Sequence, residues 1–176
     1  MHSNNPDRLT RAARRYVSPR TRPLTPEEAE TRAMSYLLKD VNGPAAVFLH
    51  AAGEMAALIH SDCNLIPAPD RHGDTLANTR LAYLIAGHLD GKATVYNILG
   101  RTAAVESSCE RHKAGLPPLS VEDHRIIRTS HKPIPCRPTF IVDNVTTNGT
   151  TIAACTAALG FGTGLVFADA YHTIPN

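Results

Sequence analysis

The chain is 176 residues long, with 43% hydrophobic and 19% charged residues and a formal net charge of +2. These values are ordinary for a globular protein and leave ample length to bury one core. No apolar stretch reaches the roughly 18 uninterrupted residues of a membrane span. The N-terminus lacks the apolar region of a secretory signal, so we expect a cytoplasmic protein.

The first 24 residues are strongly basic, and we expect them to form a flexible arm ahead of a single domain that spans residues 25–176. Against one acid, Asp7, the first 22 residues contain the arginines Arg8, Arg11, Arg14, Arg15, Arg20 and Arg22. Arginines bind phosphates, so nucleic acid is one candidate partner for this arm. A disordered tail, or a segment that docks on a partner subunit, is favoured because almost no aromatic residue is present to stack on bases.

Three helices are predicted in the first half of the domain. Thr25-Pro26-Glu27-Glu28 is a good start for the first, with proline in the first turn and acids against the helix dipole. The second runs through the apolar residues between Val47 and Ile59. The third carries its larger apolar residues on one face between Leu76 and Leu89, with Asp74 or Thr75 as its cap.

Four strands of a mainly parallel sheet are predicted, with helices on both faces of one α/β domain. They lie near residues 63–67, 94–99, 139–143 and 164–169, and the pattern leaves room for one more strand. The first is followed by a polar turn, Asp70-Arg71-His72-Gly73. Ligands bind at the carboxyl edge of open α/β sheets, which is where this turn would lie. The alternative for Arg71 and His72 is an ordinary solvated turn.

Residues 101–138 form a long polar connection between two predicted strands. Such a connection in a compact domain is usually functional or mobile. The alternative is a solvated, charged loop with a short helix from Ser120 to Arg128, in which Ser120 is the cap.

The run from Phe140 to Ile152 combines features that suit a ribose carrying a 5′-phosphate. An apolar strand leads to Asp143, whose carboxylate can accept hydrogen bonds from two adjacent sugar hydroxyls. Hydroxyl donors for phosphate oxygens follow at Thr146, Thr147, Thr150 and Thr151. Gly149 allows the backbone to approach the anion, and a helix from Thr151 to Leu159 would point its N-terminal amides at the phosphate. The alternative is a strand, a threonine-rich turn and a helix that bind no ligand.

This run resembles the phosphoribosyl-diphosphate (PRPP) binding motif of type I phosphoribosyltransferases, in which an apolar strand precedes acid-acid-apolar-x-Thr-Thr-Gly-x-Thr. Asp143 matches the first acid and Thr147 the first threonine. Gly149 and Thr151 match the glycine and the last threonine.

Two positions depart from that pattern. Asn148 replaces the second threonine, and its amide can still hydrogen-bond a phosphate. Asn144 replaces the second acid, which removes negative charge that would help to stabilise a cationic ribosyl centre. Ligand binding is therefore better supported than turnover.

The order of features from residue 62 to residue 170 resembles the ComF family, whose compact phosphoribosyltransferase-like members are linked to DNA uptake. After the first strand and its proline-containing loop come Asn78-x-x-Leu81-Ala82, Leu99-x-Arg101, Leu119-Ser120 and the PRPP-like run. Relatives often carry a glutamine where this chain has Glu106-Ser107-Ser108, and many carry paired cysteines of a zinc ribbon that this chain lacks.

The resemblance implies a phosphoribosyltransferase-like fold that binds PRPP together with Mg²⁺, the metal being held mainly by the ligand's own oxygens. Asp143 and Asn144 would occupy the catalytic positions. Residues 70–73 would form the pyrophosphate loop, in which Arg71 and His72, with backbone amides, would meet a diphosphate. A flexible loop would contact the leaving diphosphate through Arg101, Arg111 and Lys113. A nitrogen nucleophile would then displace pyrophosphate. We also expect a homo-oligomer, most simply a homodimer.

A non-catalytic accessory or regulatory protein with the same fold, for example in DNA uptake or processing, is the alternative function. Asn144, the missing loop glutamine and the basic arm favour it. The cysteines at 63, 109, 136 and 155 are scattered without a Cys-x-x-Cys pair, so no metal site built from protein side chains is predicted.

Overall fold

A five-stranded parallel sheet forms the centre of the molecule. The computed structural model describes residues 10–18, 22–106, 110–111 and 114–170. The strands are β1 (Thr10–Arg15), β2 (Cys63–Pro67), β3 (Ala93–Val95), β4 (Leu99–Arg101), β5 (Ile126–Arg128), β6 (Thr139–Thr146) and β7 (Thr163–Asp169). The central sheet has the order β1-β7-β6-β2-β3, and β4 pairs with β5 in a separate antiparallel sheet.

Within the described ranges, four complete helices lie around the sheet, and their ends follow from local chemistry. They are α1 (Pro26–Leu37), α2 (Ala45–Ala56), α3 (Leu76–His88) and α4 (Thr150–Leu159). The predicted start of α1 is confirmed as a capping box, because Thr25 Oγ1 accepts the Glu28 N–H and the Glu28 carboxylate accepts the Thr25 N–H. The predicted end of α4 is confirmed at Gly160, which adopts a left-handed conformation.

Helices cover both faces of the sheet, as predicted. Leu65 and Val142 belong to one buried cluster, which also contains residues of α1, α2 and α3. Their neighbours Ile66 and Ile141 belong to a second cluster, with α4 and the β4-β5 pair. Successive strand residues point to opposite faces, so a strand that is buried on both sides must be apolar throughout.

The two central strands, β2 and β6, lie side by side, and the chain leaves them in opposite directions. From β2 it passes through α3 to β3 at one edge, and from β6 it passes through α4 to β7 on the other side. The strand order therefore reverses between β2 and β6. In open α/β sheets, a crevice forms at the carboxyl ends of the strands at such a reversal.

The strand predicted over residues 94–99 is divided between two sheets. β3 ends at Val95, after which the Tyr96 N–H makes a last hydrogen bond to the Leu65 carbonyl at 2.9 Å. Ile98 and Leu99 then pack in the second buried cluster, and the Thr129 N–H donates to the Ile98 carbonyl at 2.8 Å. One apolar run, residues 93–99, thus contributes both to the central sheet and to the second buried cluster.

The prediction of a short helix from Ser120 to Arg128 is mostly wrong. A single 3-10 turn forms at Glu122–His124 with Val121, not Ser120, as its N-cap, although the Ser120 hydroxyl accepts the Asp123 N–H at 3.2 Å. Arg125 then adopts a left-handed conformation with φ of 51°, which ends the turn. Ile126–Arg128 continue as β5, because pairing with β4 outweighs the local helical signal.

The N-terminal segment is not a free arm over all its length. Thr10–Arg15 form β1, which pairs in parallel with β7 at the edge of the central sheet. The Arg14 side chain is 14% exposed; it binds the Glu54 carboxylate at 2.7 Å and the Glu30 carboxylate at 2.9 Å. These hydrogen bonds raise the pKa of Arg14, and the guanidinium also stacks over Phe167. Arg8 and Arg20 lie outside the described residues.

We expect Arg14→Met to destabilise the fold, since it removes the link from β1 to α1 and α2 and leaves Glu54 without its arginine. The free energy of unfolding should fall by about 1–3 kcal/mol in chemical denaturation. Arg15→Met is the matched control, because Arg15 lies on the same strand and is exposed. Equal stability of the two variants would contradict an anchoring role for Arg14.

Candidate ligand-binding site

A cavity of about 670 Å³ opens at the carboxyl ends of β2 and β6, where the strand order reverses. Its walls come from the loop after α1, the loop after β2, the start of α3, the end of β4 and the end of β6. The described residues that line it are Lys39–Val41, Pro69–His72, Asp74, Leu76–Asn78, Arg101, Val105, Glu106, Leu119, His124, Asp143–Val145 and Thr151.

Asp143 lines this cavity and lies within β6 rather than after it. The strand was predicted to end near residue 143, but it continues to Thr146 because β7 pairs with it as far as Asp169. One Asp143 carboxylate oxygen accepts the Asn144 N–H at 2.8 Å and an Asn78 amide N–H at 3.1 Å. Burial nevertheless raises the pKa of Asp143 to about 6.

Asn78 joins the ends of the two central strands. Its side-chain amide donates to the Ala68 carbonyl at 2.9 Å, just beyond β2, as well as to Asp143 on β6. Asn78 is 7% exposed, so these bonds are shielded from water. Asn144, which is also buried, lines the cavity next to Asp143.

The loop that follows β6 satisfies much of its own hydrogen bonding. Thr146 Oγ1 accepts the Gly149 N–H at 3.0 Å, and Asn148 Oδ1 accepts both the N–H and the hydroxyl of Thr150. Gly149 has φ of 77°, a conformation that L residues rarely adopt, and it caps α4.

Few of the predicted phosphate donors face the cavity in this arrangement. Thr151 lines it, Thr147 is exposed, and Thr146 and Asn148 are occupied within the loop. The amides of Thr151 and Ile152 belong to the first turn of α4, where N–H groups have no partner within a helix.

In the loop after β2, the carboxylate of Asp70 accepts hydrogen bonds from backbone amides of the same loop. Asp70 Oδ1 accepts the His72 N–H at 2.8 Å and the Asp74 N–H at 2.9 Å. We predicted that backbone amides of this loop meet a diphosphate, but an acidic side chain already binds two of them. Arg71 lines the cavity and pairs with Glu110 at 2.8 Å, in an exposed contact.

Arg101 brings a positive charge to the cavity wall. Its hydrogen bonds to described residues go to the carbonyls of Pro69, Asp70 and His124 and to the ring of His124. It has no carboxylate partner among them, and burial lowers its pKa. Gly73 has φ of 91°, and a Cβ at this position would lie 3.5 Å from Arg101 Cβ.

Of the other two predicted cations, Arg111 is described and does not join Arg101. Arg111 binds the Glu106 carboxylate and the Pro117 carbonyl, each at 2.8 Å, and is absent from the cavity wall. Lys113 lies outside the described residues.

His124 and Lys39 belong to the site but were not predicted to do so. Burial, followed by repulsion from Arg101, lowers the pKa of His124 to about 4, so the ring is neutral at pH 7. Lys39 follows α1 and lines the cavity. Neither residue falls in a recognisable motif, and only contacts between distant segments place them there.

No protein-family model matches this sequence. A search of curated proteins likewise finds no match.

Two further properties hold for the described ranges. None of their helices combines the length and the hydropathy needed to cross a membrane. No three His, Cys, Asp or Glu side chains in those ranges are grouped so that they could hold a metal ion by themselves.

Asp143→Asn should increase stability at pH 7 but not at pH 4. The folded-state pKa of about 6 is above the usual value of 3.8, so charging Asp143 costs stability as pH rises from about 4 to 6. Asparagine can keep both hydrogen bonds without the charge. We expect the free energy of unfolding at pH 7 to rise by about 1–3 kcal/mol in urea denaturation.

The pH profile of this variant provides a second check. The pKa of His124 is lowered from 6.5 to about 4, so the protein loses stability as pH falls through that interval. This pH dependence is opposite in sign to that of Asp143. Without the opposing Asp143 effect, the variant should show a steeper rise in stability between pH 4 and 6. Asp62→Asn, at the exposed amino end of β2, is the control. Parallel profiles for wild type and Asp143→Asn would contradict this account.

Proposed function

We propose that this protein binds PRPP, or a related ribose 5-phosphate ligand, in the cavity between β2 and β6 and acts as a phosphoribosyltransferase-like protein. One observation carries the proposal. Asp143 lies at the strand-order reversal beside the N-terminus of α4, in a cavity whose volume of about 670 Å³ is typical of small-molecule sites. The PRPP-like sequence pattern and the three-dimensional position of its acid thus agree.

The ribose would bind at Asp143. One carboxylate oxygen is already bonded to Asn78 and Asn144, which fixes the orientation of the group. The second oxygen remains to accept hydrogen bonds from the ribose hydroxyls. Since the pKa is about 6, the carboxylate is mostly ionised at pH 7 and is a strong acceptor.

The 5′-phosphate would bind at the loop from Thr146 to Thr151. The amides of Thr151 and Ile152 in the first turn of α4 and the hydroxyl of Thr151, which lines the cavity, would be its donors. The exposed Thr147 hydroxyl would join them only by turning toward the cavity. Gly149 and Thr150 would contribute their N–H groups only if the loop exchanged its internal hydrogen bonds for bonds to phosphate.

The diphosphate would lie toward Arg101, with Arg71, His72 and Lys39 on the same cavity wall. Mg²⁺ bound to PRPP would neutralise part of the diphosphate charge and favour its departure. In the transfer, a nitrogen nucleophile would form a bond to C1′ while the bond from C1′ to the diphosphate oxygen breaks and its electron pair leaves with pyrophosphate. The nitrogen would then lose its extra proton to solvent.

Binding without turnover is the second candidate, and Asn144 favours it. Asn144 follows Asp143 in the chain and also lines the cavity. Its amide cannot supply the negative charge that stabilises an oxocarbenium-like centre. The protein would then be an accessory or regulatory protein that senses a phosphoribosyl ligand, for example in DNA uptake or processing.

Calorimetric titration with PRPP and Mg²⁺ tests the ligand. We expect saturable binding that weakens at least about tenfold in Asp143→Ala, because the variant loses a charged acceptor for the ribose hydroxyls. Asp62→Ala, which removes an exposed carboxylate away from the cavity, should bind like wild type. Heats that are identical in wild type and Asp143→Ala would place the ligand elsewhere, and no heat at all would overturn the proposal.

Asn144→Asp separates the two candidates. If this position limits turnover, restoring the acid should increase pyrophosphate release from PRPP about tenfold or more while affinity changes little. The assay is pyrophosphate release in the presence of ammonium or a panel of nucleobases. Unchanged release, with PRPP still bound, would mean that Asn144 does not limit the chemistry.

A further inference from the structure

A continuous chain of hydrogen bonds begins at Arg101 and His124, which both line the cavity, and leads to the loop before α4. Arg101 Nη1 contacts His124 Nδ1 at 3.3 Å, and His124 Nε2 contacts Thr150 Oγ1 at 2.9 Å. Thr150 Oγ1 in turn donates to Asn148 Oδ1 at 2.8 Å. The chain therefore joins the end of β4 to the loop that precedes α4.

Every proton in this chain can be assigned from its two ends. Asn148 Oδ1 also accepts the Thr150 N–H at 3.2 Å, which fixes the amide orientation and makes the Thr150 hydroxyl the donor to Asn148. The Thr150 hydroxyl oxygen must then accept from His124, so Nε2 carries the ring proton. At the other end, a guanidinium can only donate, so His124 Nδ1 must be the acceptor for Arg101.

We propose that His124 is a positioning residue that couples the two ends of the ligand site, by holding Arg101 at one end and the Asn148–Thr150 loop at the other. The ligand part of this inference rests on the proposed function. His124 is 4% exposed and does not itself need to contact the ligand. It acts through its neighbours, since one neutral ring with a single proton satisfies an obligatory donor on one side and an acceptor on the other.

The ring tautomer tests the chain without any ligand. Nitrogen-15 NMR of histidine-labelled protein at pH 7 should show His124 as the neutral Nε2–H tautomer, with Nδ1 unprotonated. Arg101→Met should change the Nδ1 signal, and Thr150→Val should change the Nε2 signal. The Nδ1–H tautomer, or a protonated ring, would overturn the proposed direction of the chain.

Two conservative variants of His124 separate the two halves of the hydrogen-bond chain. The amide of asparagine ends near the position of Nδ1, so His124→Asn retains an acceptor for Arg101 but loses the donor to Thr150. The longer glutamine ends near the position of Nε2, so His124→Gln retains that donor but loses the acceptor. His124→Ala loses both, and His60→Gln, at an exposed histidine, is the control.

Three probes report on the two ends of the site. Pyrophosphate reports on the Arg101 end, ribose 5-phosphate on the loop end, and PRPP on both. His124→Asn should weaken ribose 5-phosphate binding by about fivefold or more and spare pyrophosphate, and His124→Gln should do the reverse. His124→Ala should weaken both, and PRPP should weaken in all three variants.

The outcomes distinguish this inference from the function on which it rests. Equal losses for both probes in the Asn and Gln variants would reduce His124 to a general structural role and overturn the coupling. If wild type binds none of the three probes, the proposed function and the ligand part of this inference both fail. The NMR tautomer then still decides whether the hydrogen-bond chain exists.

Discussion

The parallel pairing of β2 with β6 is the constraint on which the other features of the site depend. It brings together the ends of two strands that lie far apart in the sequence, and it sends their connections to opposite faces of the sheet. Asn78 bridges the two ends by donating to both Ala68 and Asp143. Without this pairing, the loop after β2, Asp143 and the start of α4 would not share one cavity. The position of the site thus follows from topology before any side chain is considered.

Both loops at this edge hold polar groups in internal hydrogen bonds that an anion would otherwise use. Asp70 binds two amides of its own loop, and Asn148 and Thr146 bind two more beside α4. Internal bonding of this kind keeps the loops ordered, because unpaired backbone groups in a partly dry cavity are costly. A phosphate that bound there would have to exchange one set of hydrogen bonds for another. Its net affinity would reflect that difference and not the gross strength of the new contacts.

Features with a local cause were predictable from the sequence. The capping residues of α1, the glycines around α4 and the apolar residues of β2 and β6 each determine their own backbone within a few positions. Features with a distant cause were not predictable. The Leu99 segment leaves the central sheet because it pairs with residues 126–128, and β6 is longer than expected because β7 extends its ladder. His124 could not be identified because its partners, Arg101 and Thr150, are more than twenty residues away on either side. Asn78 appeared only as part of a family-like pattern, and its bond to Asp143 has no local signature.

The arginine content of β1 has a consequence for biosynthesis. This strand is synthesised before all the other described elements, and its partner β7 is synthesised after them. Until β7 is made, the backbone groups of residues 10–15 lack this partner, and in an apolar segment such unpaired groups would invite aggregation. The three arginines of Thr-Arg-Ala-Ala-Arg-Arg favour hydration of this unpaired segment, and their like charges repel the same segment of neighbouring nascent chains. The same charges that make the segment look like a tail therefore suit an edge strand whose docking is delayed until the rest of the sheet has been synthesised.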